Sequence, residues 1–275
     1  MSRPTEPEIV AAITSFRQHI VEHNKQIFAK IIHEAGTAEA PASWPEEVVA
    51  RARRNFMLHQ LCVSRPDALA ADDPRRIREP RDVLNRWDDL VAIPELALDG
   101  TVVEHDEAQR AILREQYRAG IVAGLKQQDD DTPPFPADFA VLMHHVDRLE
   151  GPGWPLWREN GQQVRFWDGL GEGEEAAVQR VWTDLDKLKT KAGEESWEVR
   201  AGWECGAGPD AYCFIIYFRD PDSDDKRRRS WAWRYVMRFD VSVWAFENVV
   251  ELLAWYTTWW EPTLEDADFA GGPFH

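Results

Sequence analysis

The sequence predicts an α+β fold: an antiparallel-rich sheet flanked by helices and preceded by an N-terminal helical region. Three observations carry this. Helical spacing of apolar residues dominates the first 127 residues, strand alternation is confined to the last third, and no repeating strand–helix alternation links them. The strands there are joined by short loops, which makes them antiparallel neighbours.

The first 35 residues read as one helix. Thr5 and Glu8 have capping-box spacing and Pro7 sits in the first turn. Ile9, Ile13, Phe16, Ile20, Ile27 and Ile31 follow at helical spacing, and Gly36 ends the run. A second helix repeats the grammar with Ser43 and Glu46 as the box and Pro45 in the first turn. It runs through Val48, Ala52 and Phe56 to Cys62. Pro66, Pro74, Pro80 and Pro94 break residues 64–103 into short pieces. A third long helix spans His105 to Gln127. The run Gln127 to Pro134 then combines like charge with paired prolines, as a linker does.

Beyond it, Phe139, Leu142, Met143, Val146 and Leu149 mark a short amphipathic helix. A turn-rich loop, GPGWPLWRENG, follows, and residues 174–190 read as helix. Trp197, Val199, Ala201 and Trp203 alternate with polar or small residues, as in a strand. Ala211 to Phe218 is wholly apolar, as in a strand covered on both faces. Trp231, Trp233, Tyr235, Met237 and Phe239 mark a third strand, and Phe246, Val249, Val250, Leu253, Tyr256 and Trp260 a last helix. The expected division is a helical region over 1–128, a linker over 129–136, an α+β domain over 137–262 and a frayed acidic tail over 263–275.

The 275 residues suffice for a sizeable core. A net charge of −17 disfavours a nucleic-acid binder, because phosphate attachment needs clustered Lys and Arg. It suits a solvated protein or one with a basic partner. Three cysteines, Cys62, Cys205 and Cys213, form neither a disulfide framework nor a CxxC pair, which fits a reducing compartment. The start, MSRPTEPEIV, lacks the apolar core of a secretion signal, and the longest apolar run, eight residues, is too short for a bilayer. The expectation is a cytoplasmic protein with no membrane partner.

His19-Ile20-Val21-Glu22-His23 is the H-x-x-E-H pattern of inverted zinc peptidases. Histidines at i and i+4 share a helix face, and Glu22 would act as base toward a metal-bound water. Glu95 or Glu104 would have to supply a third ligand. The competing reading is packing, because His23 falls on the apolar stripe with Phe16, Ile20 and Ile27. That reading is preferred, since a five-residue pattern needs context. His144, His145 and Asp147 lie together, but adjacent histidines point about 100° apart on a helix. One of them is expected at the surface. Cys205 has no nucleophile signature, and Cys213 lies inside the apolar strand and is expected to be inert. Gly169 to Gly173 and Gly206 to Gly208 match no phosphate-loop pattern and read as turns. Lys226 to Arg229 abut Asp220, Asp222, Asp224 and Asp225, which reads as a solvated hairpin loop.

Fourteen tryptophans are many for this length. Those at strand spacing read as core. Trp154 and Trp157 lie in a loop with Gly and Pro, where aromatics serve as interface anchors or as a lid on the core. With Arg158 and Trp167 they form the expected partner-binding set. Stacking of sugars on Trp154 and Trp157 is the carbohydrate-binding alternative.

Pro133 to Leu142 resembles the proline-led amphipathic helix that begins SUKH-superfamily domains. Gly151-Pro152-Gly153-Trp154 resembles that family's glycine turn. The strands Trp197–Trp203, Tyr212–Phe218 and Trp231–Phe239 resemble its sheet, and Phe246 to Tyr256 its closing helix. The resemblance covers about residues 130–260. The family includes fungal cell-wall-synthesis regulators of the Smi/Knr type and bacterial toxin-immunity proteins. It implies a non-enzymatic protein-interaction module without cofactors, regulatory or toxin-neutralising, with a protein partner of basic character.

Overall fold

The structure is a computed structural model and describes residues 3–103, 106–127, 133–171, 173–259, 261–263, 265–267 and 272–274. Its described elements are α1 (Glu6–Thr37), α2 (Glu46–Gln60), α3 (Asp82–Asn85), α4 (Trp87–Val91), β1 (Thr101–Val102), α5 (Glu107–Leu125), α6 (Ala137–His145), β2 (Arg148–Leu149), α7 (Pro155–Glu159), α8 (Glu174–Gln179), α9 (Leu185–Ala192), β3 (Glu198–Gly208), β4 (Ala211–Arg219), β5 (Ala232–Phe239), β6 (Ser242–Phe246) and α10 (Val249–Tyr256). The fold class is α+β, with two antiparallel sheets ordered β1-β2 and β3-β4-β5-β6.

The chain divides into two compact units that differ from the expected 1–128 and 137–262 division. The first comprises Met1–Ser15, Thr101–Gly151 and Val164–Tyr256; the second comprises Phe16–Gly100, Pro152–Gln163 and Thr257–His275. Helix α5 therefore belongs with the large sheet. The reason lies in its sequence. Gly120 and Gly124 leave no side chain in the way of α8: a Cβ on Gly120 would sit 2.7 Å from that of Ala177, and one on Gly124 2.7 Å from a Val181 methyl. The core of the expected linker, Asp129–Thr132, and the expected helix start at His105 lie outside the described residues.

In the first unit the sheet is covered on both faces, as the apolar β4 sequence requires. Leu188 and Ala192 of α9 pack with Trp197, Phe214, Ile216, Phe218 and Val236 on one face. On the other face, aromatic rings interlock. Phe139 of α6 lies 5.2 Å from Trp167 and 6.3 Å from Tyr235, and Phe166 lies 6.3 Å from Tyr256 of α10. The Trp203 indole N–H donates to the Tyr117 hydroxyl at 3.1 Å, so this bulky ring is buried without an orphaned donor.

Several element boundaries differ from expectation. The 174–190 helix is two helices, because Val181 bridges Trp203 and Arg180 O accepts from Glu204 N, spending that stretch on the edge of β3. Asp184 then caps α9 by accepting from Lys187 N at 3.1 Å. Gly206 and Gly208 lie within β3, not in a turn, and a Cβ on Gly206 would collide with the backbone of Arg165 and Phe166. The amphipathic helix stops at His145, since Asp147 N bonds Val102 O and Leu149 pairs with Thr101. The loop at 151–161 contains α7, and the last helix starts at Val249 because β6 takes the residues before it. Trp260, expected in that helix, is outside the described residues.

The second unit is helical. Ile27, Phe28 and Ile31 of α1, Met57 and Leu58 of α2, and Trp87 and Leu90 of α4 share one core with Trp154 and Trp157. Half of the Thr5–Glu8 box at the start of α1, in the first unit, is formed: Glu8 Oε2 accepts from Thr5 N at 2.7 Å and from its hydroxyl at 2.8 Å. The Ser43–Glu46 box is not; α2 starts after Pro45 without a side-chain cap.

Candidate functional site

The hairpin of β4 and β5 sets one end of the sheet. Strand alternation puts Trp231, Trp233 and Tyr235 on one side, and the register places Tyr217 opposite Trp233. Trp231 stands one residue beyond the last pair, Phe218 with Ala232, so it projects past the sheet end half-buried instead of entering the core. Tyr217 stacks on it at 5.6 Å and 21°, and meets Trp233 at 5.3 Å. The Arg200 and Arg219 guanidinium carbons lie 4.4 Å and 5.3 Å from the Trp231 ring centre. That is cation–π distance. Arg219 also forms an ion pair with Glu198 at 2.7 Å, which holds the stack.

A cleft of about 400 Å³ opens beside these rings, with Pro134 and Pro136 on its other wall and Arg227 and Glu247 on its rim. The Trp233 indole N–H donates to Pro134 O at 2.6 Å, fixing the ring against that wall. Beneath lies Arg234, 0% exposed. Its donors reach Glu247 at 2.7 Å, Phe218 O at 2.8 Å and Arg227 O at 2.7 Å. One guanidinium thereby pins the 220–231 loop to the sheet. Within the basic run of that loop, one arginine is paired with a neighbouring aspartate. Arg227 grips Asp225 at 2.6 Å and holds its carboxyl down to about 2, and Arg229 donates to Ser223 O at 2.7 Å.

The expected partner-binding residues sit elsewhere. Trp154 is 2% exposed, Trp157 8% and Trp167 0%. Trp154 donates to Gln60 Oε1 at 3.0 Å within the second core, and Arg158 donates to the carbonyls of Ala97 and Leu96. Pro155 starts α7, which turns both loop tryptophans inward, so they lid a core. Trp167 joins the ring cluster of the first unit. None of these rings is an exposed platform for a partner or a sugar.

His19 and His23 do meet, through a residue the motif does not contain. Glu261 Oε1 lies 2.9 Å from His19 Nε2 and 2.8 Å from His23 Nδ1, and His23 Nε2 donates to Pro262 O at 2.6 Å. Glu22 instead faces Gln26 at 3.4 Å. The histidines thus fasten Glu261 and Pro262, which follow α10, to α1. Glu95 is exposed, and Glu104 lies outside the described residues. Among the described residues, no group of three or more His, Cys, Asp or Glu side chains is arranged to hold a metal ion.

His144 is exposed, as expected of one of the pair, while Asp147 is buried against Arg110 at 2.8 Å. Burial drives the Cys205 and Cys213 thiols well above their ordinary range, and burial followed by a hydrogen bond to Glu159 pushes Cys62 up to about 12. Such thiols hold little thiolate at neutral pH. Burial likewise raises Asp168 and Glu204, with the Arg180 cation acting against it at both.

Sequence reasoning assigned Trp231 and Trp233 to the core, which holds for Trp233, took Arg200 only as the polar phase of its strand, and did not single out Tyr217 or Arg219. The available signal was the position of Trp231 at the very start of its strand, directly after a charged loop.

No family model matches the sequence, and no curated protein or solved structure is detectably similar to it. No described helix is long and apolar enough to cross a membrane.

Proposed function

We propose that the chain is a non-enzymatic protein-interaction module of SUKH type. It docks a protein partner of basic character at the Tyr217–Trp231–Trp233 cleft, as a regulator or as a toxin neutraliser. The observation that carries this is the composition of the cleft: half-buried Trp and Tyr rings stacked with Arg, beside a preformed concavity. Trp, Tyr and Arg are the residues that dominate interface energetics, and rings already fixed by packing lose little freedom on binding. A helix, α6, before the four-stranded sheet and a helix, α10, after it are compatible with the arrangement on which the SUKH resemblance rests, with β2, α7, α8 and α9 intervening between α6 and β3. The net charge of −17 favours approach of a basic surface.

Capture from extracts of the native cell tests this, run in parallel with the native chain, Trp231→Ala and Lys187→Gln on the exposed flank of α9. One stoichiometric protein should be retained by the native chain and Lys187→Gln. Trp231→Ala should weaken its binding about thirty-fold or more, the cost of losing a hot-spot side chain. Equal retention by Trp231→Ala, or no stoichiometric partner, contradicts the proposal.

A further inference from the structure

The second unit holds a feature with the opposite charge. Residues 51–86 carry nine arginines, no lysine and five carboxylates, in a chain whose net charge is −17. Four of these arginines, Arg54, Arg76, Arg78 and Arg86, line a cavity of about 780 Å³ between α2 and the segment leading into α3. The same cavity has an apolar side, formed by Leu58 and Ile77. Its volume falls in the range of small-molecule sites.

The arginines are not consumed by the fold. None of the four forms an ion pair with a carboxylate among the described residues. The Arg54 Nε is shielded from solvent and donates to no protein acceptor. Arg86 reaches only the carbonyls of Asp73 and Arg76, both at 3.4 Å. Two carboxylates share the wall, Asp67 and Asp82, and one oxygen of Asp82 is taken up by the backbone N–H groups of Arg78 at 2.7 Å and Glu79 at 3.1 Å. Four guanidinium groups against two carboxylates leave the wall two positive charges in excess. The loop that carries Arg76 is held in shape by Arg75, which clasps the Asp73 carboxylate at 2.8 Å and 3.1 Å.

We infer that this cavity binds a phosphate-bearing small molecule. A phosphate monoester carries roughly two negative charges near pH 7, matching the excess on the wall. Guanidinium groups present paired donors that fit phosphate oxygens, and arginine without lysine is the composition such planar, bidentate recognition uses. The apolar side would seat the organic part of the ligand. Free phosphate and a phosphorylated metabolite share this chemistry and differ in whether that side is used.

Calorimetric titration of the full chain with inorganic phosphate, pyrophosphate and a phosphorylated nucleoside, at fixed ionic strength, tests the inference. One saturable site is expected, with pyrophosphate or the nucleotide tighter than phosphate. A further gain for the nucleotide assigns the organic part to the apolar side. Arg54→Gln and Arg78→Gln should each weaken binding at least ten-fold, and Lys187→Gln in the other unit should not. Arg78 is exposed and makes no side-chain hydrogen bond, so its variant folds even if Arg54→Gln does not. Absence of a saturable site, or equal weakening by Lys187→Gln, overturns the inference. Because this cavity and the aromatic cleft lie in different units, failure here leaves the protein-docking proposal standing, and the reverse also holds.

Discussion

Arg234 is the side chain on which the candidate docking site most depends. It is fully buried, yet every branch of its guanidinium has an acceptor, and its plane lies over Phe218 at 4.9 Å. Replacing it leaves Glu247 and the carbonyls of Phe218 and Arg227 without their donor. Breaking a buried pair from one side costs about 3–5 kcal/mol. Arg234→Met, which keeps most of the volume, should lose that much in chemical denaturation. A loss below about 1 kcal/mol would mean that water satisfies these groups equally well. In the sequence Arg234 falls between the apolar positions Trp233 and Tyr235, and alternation tells which side a residue faces and not whether that side is covered. The same limit misplaced Trp154, Trp157 and Trp167: a ring in a Gly- and Pro-rich loop is exposed or inward depending on where the loop folds.

At the scale of elements, the long helices and three central strands were legible because their apolar spacing is strong and local. The missing pieces depend on partners distant in sequence. Strand β6 was hidden since SVWAF reads equally well as the run-up to a helix, and only pairing of Phe239 with Ser242 decides it. The break between α8 and α9 follows from the bridge of Val181 to Trp203. Contact of α5 with α8 rests on two glycines that helix propensity alone counts as defects. Gly120→Ala therefore separates two opposing effects. In an isolated helix the change stabilises by about 1 kcal/mol. Here the added methyl meets Ala177 Cβ at 2.7 Å and the backbone of Glu174, so overpacking should win and destabilise by about 1–3 kcal/mol. A higher melting temperature for Gly120→Ala would show that α8 yields easily.

At the scale of the whole molecule, charge and aromatic content were read correctly in sum but not in place. The net charge concealed a block of nine arginines over 51–86, because a total averages over opposite regions. The fourteen tryptophans pointed to both core and interface, and the structure divides them: seven of the described ones are buried, whereas Trp231, one of several half-buried ones, stands between Tyr217 and two arginines. The expected helical half and sheet half gave way to two units interleaved along the chain, since α5 completes the sheet unit while residues 152–163 return to the helical one. Hydrogen–deuterium exchange of the full chain, alone and saturated with its captured protein partner, tests the docking claim most directly. The account predicts added protection at residues 217–219 and 227–233. Protection confined to other segments, with this stretch exchanging as in the free chain, would contradict it.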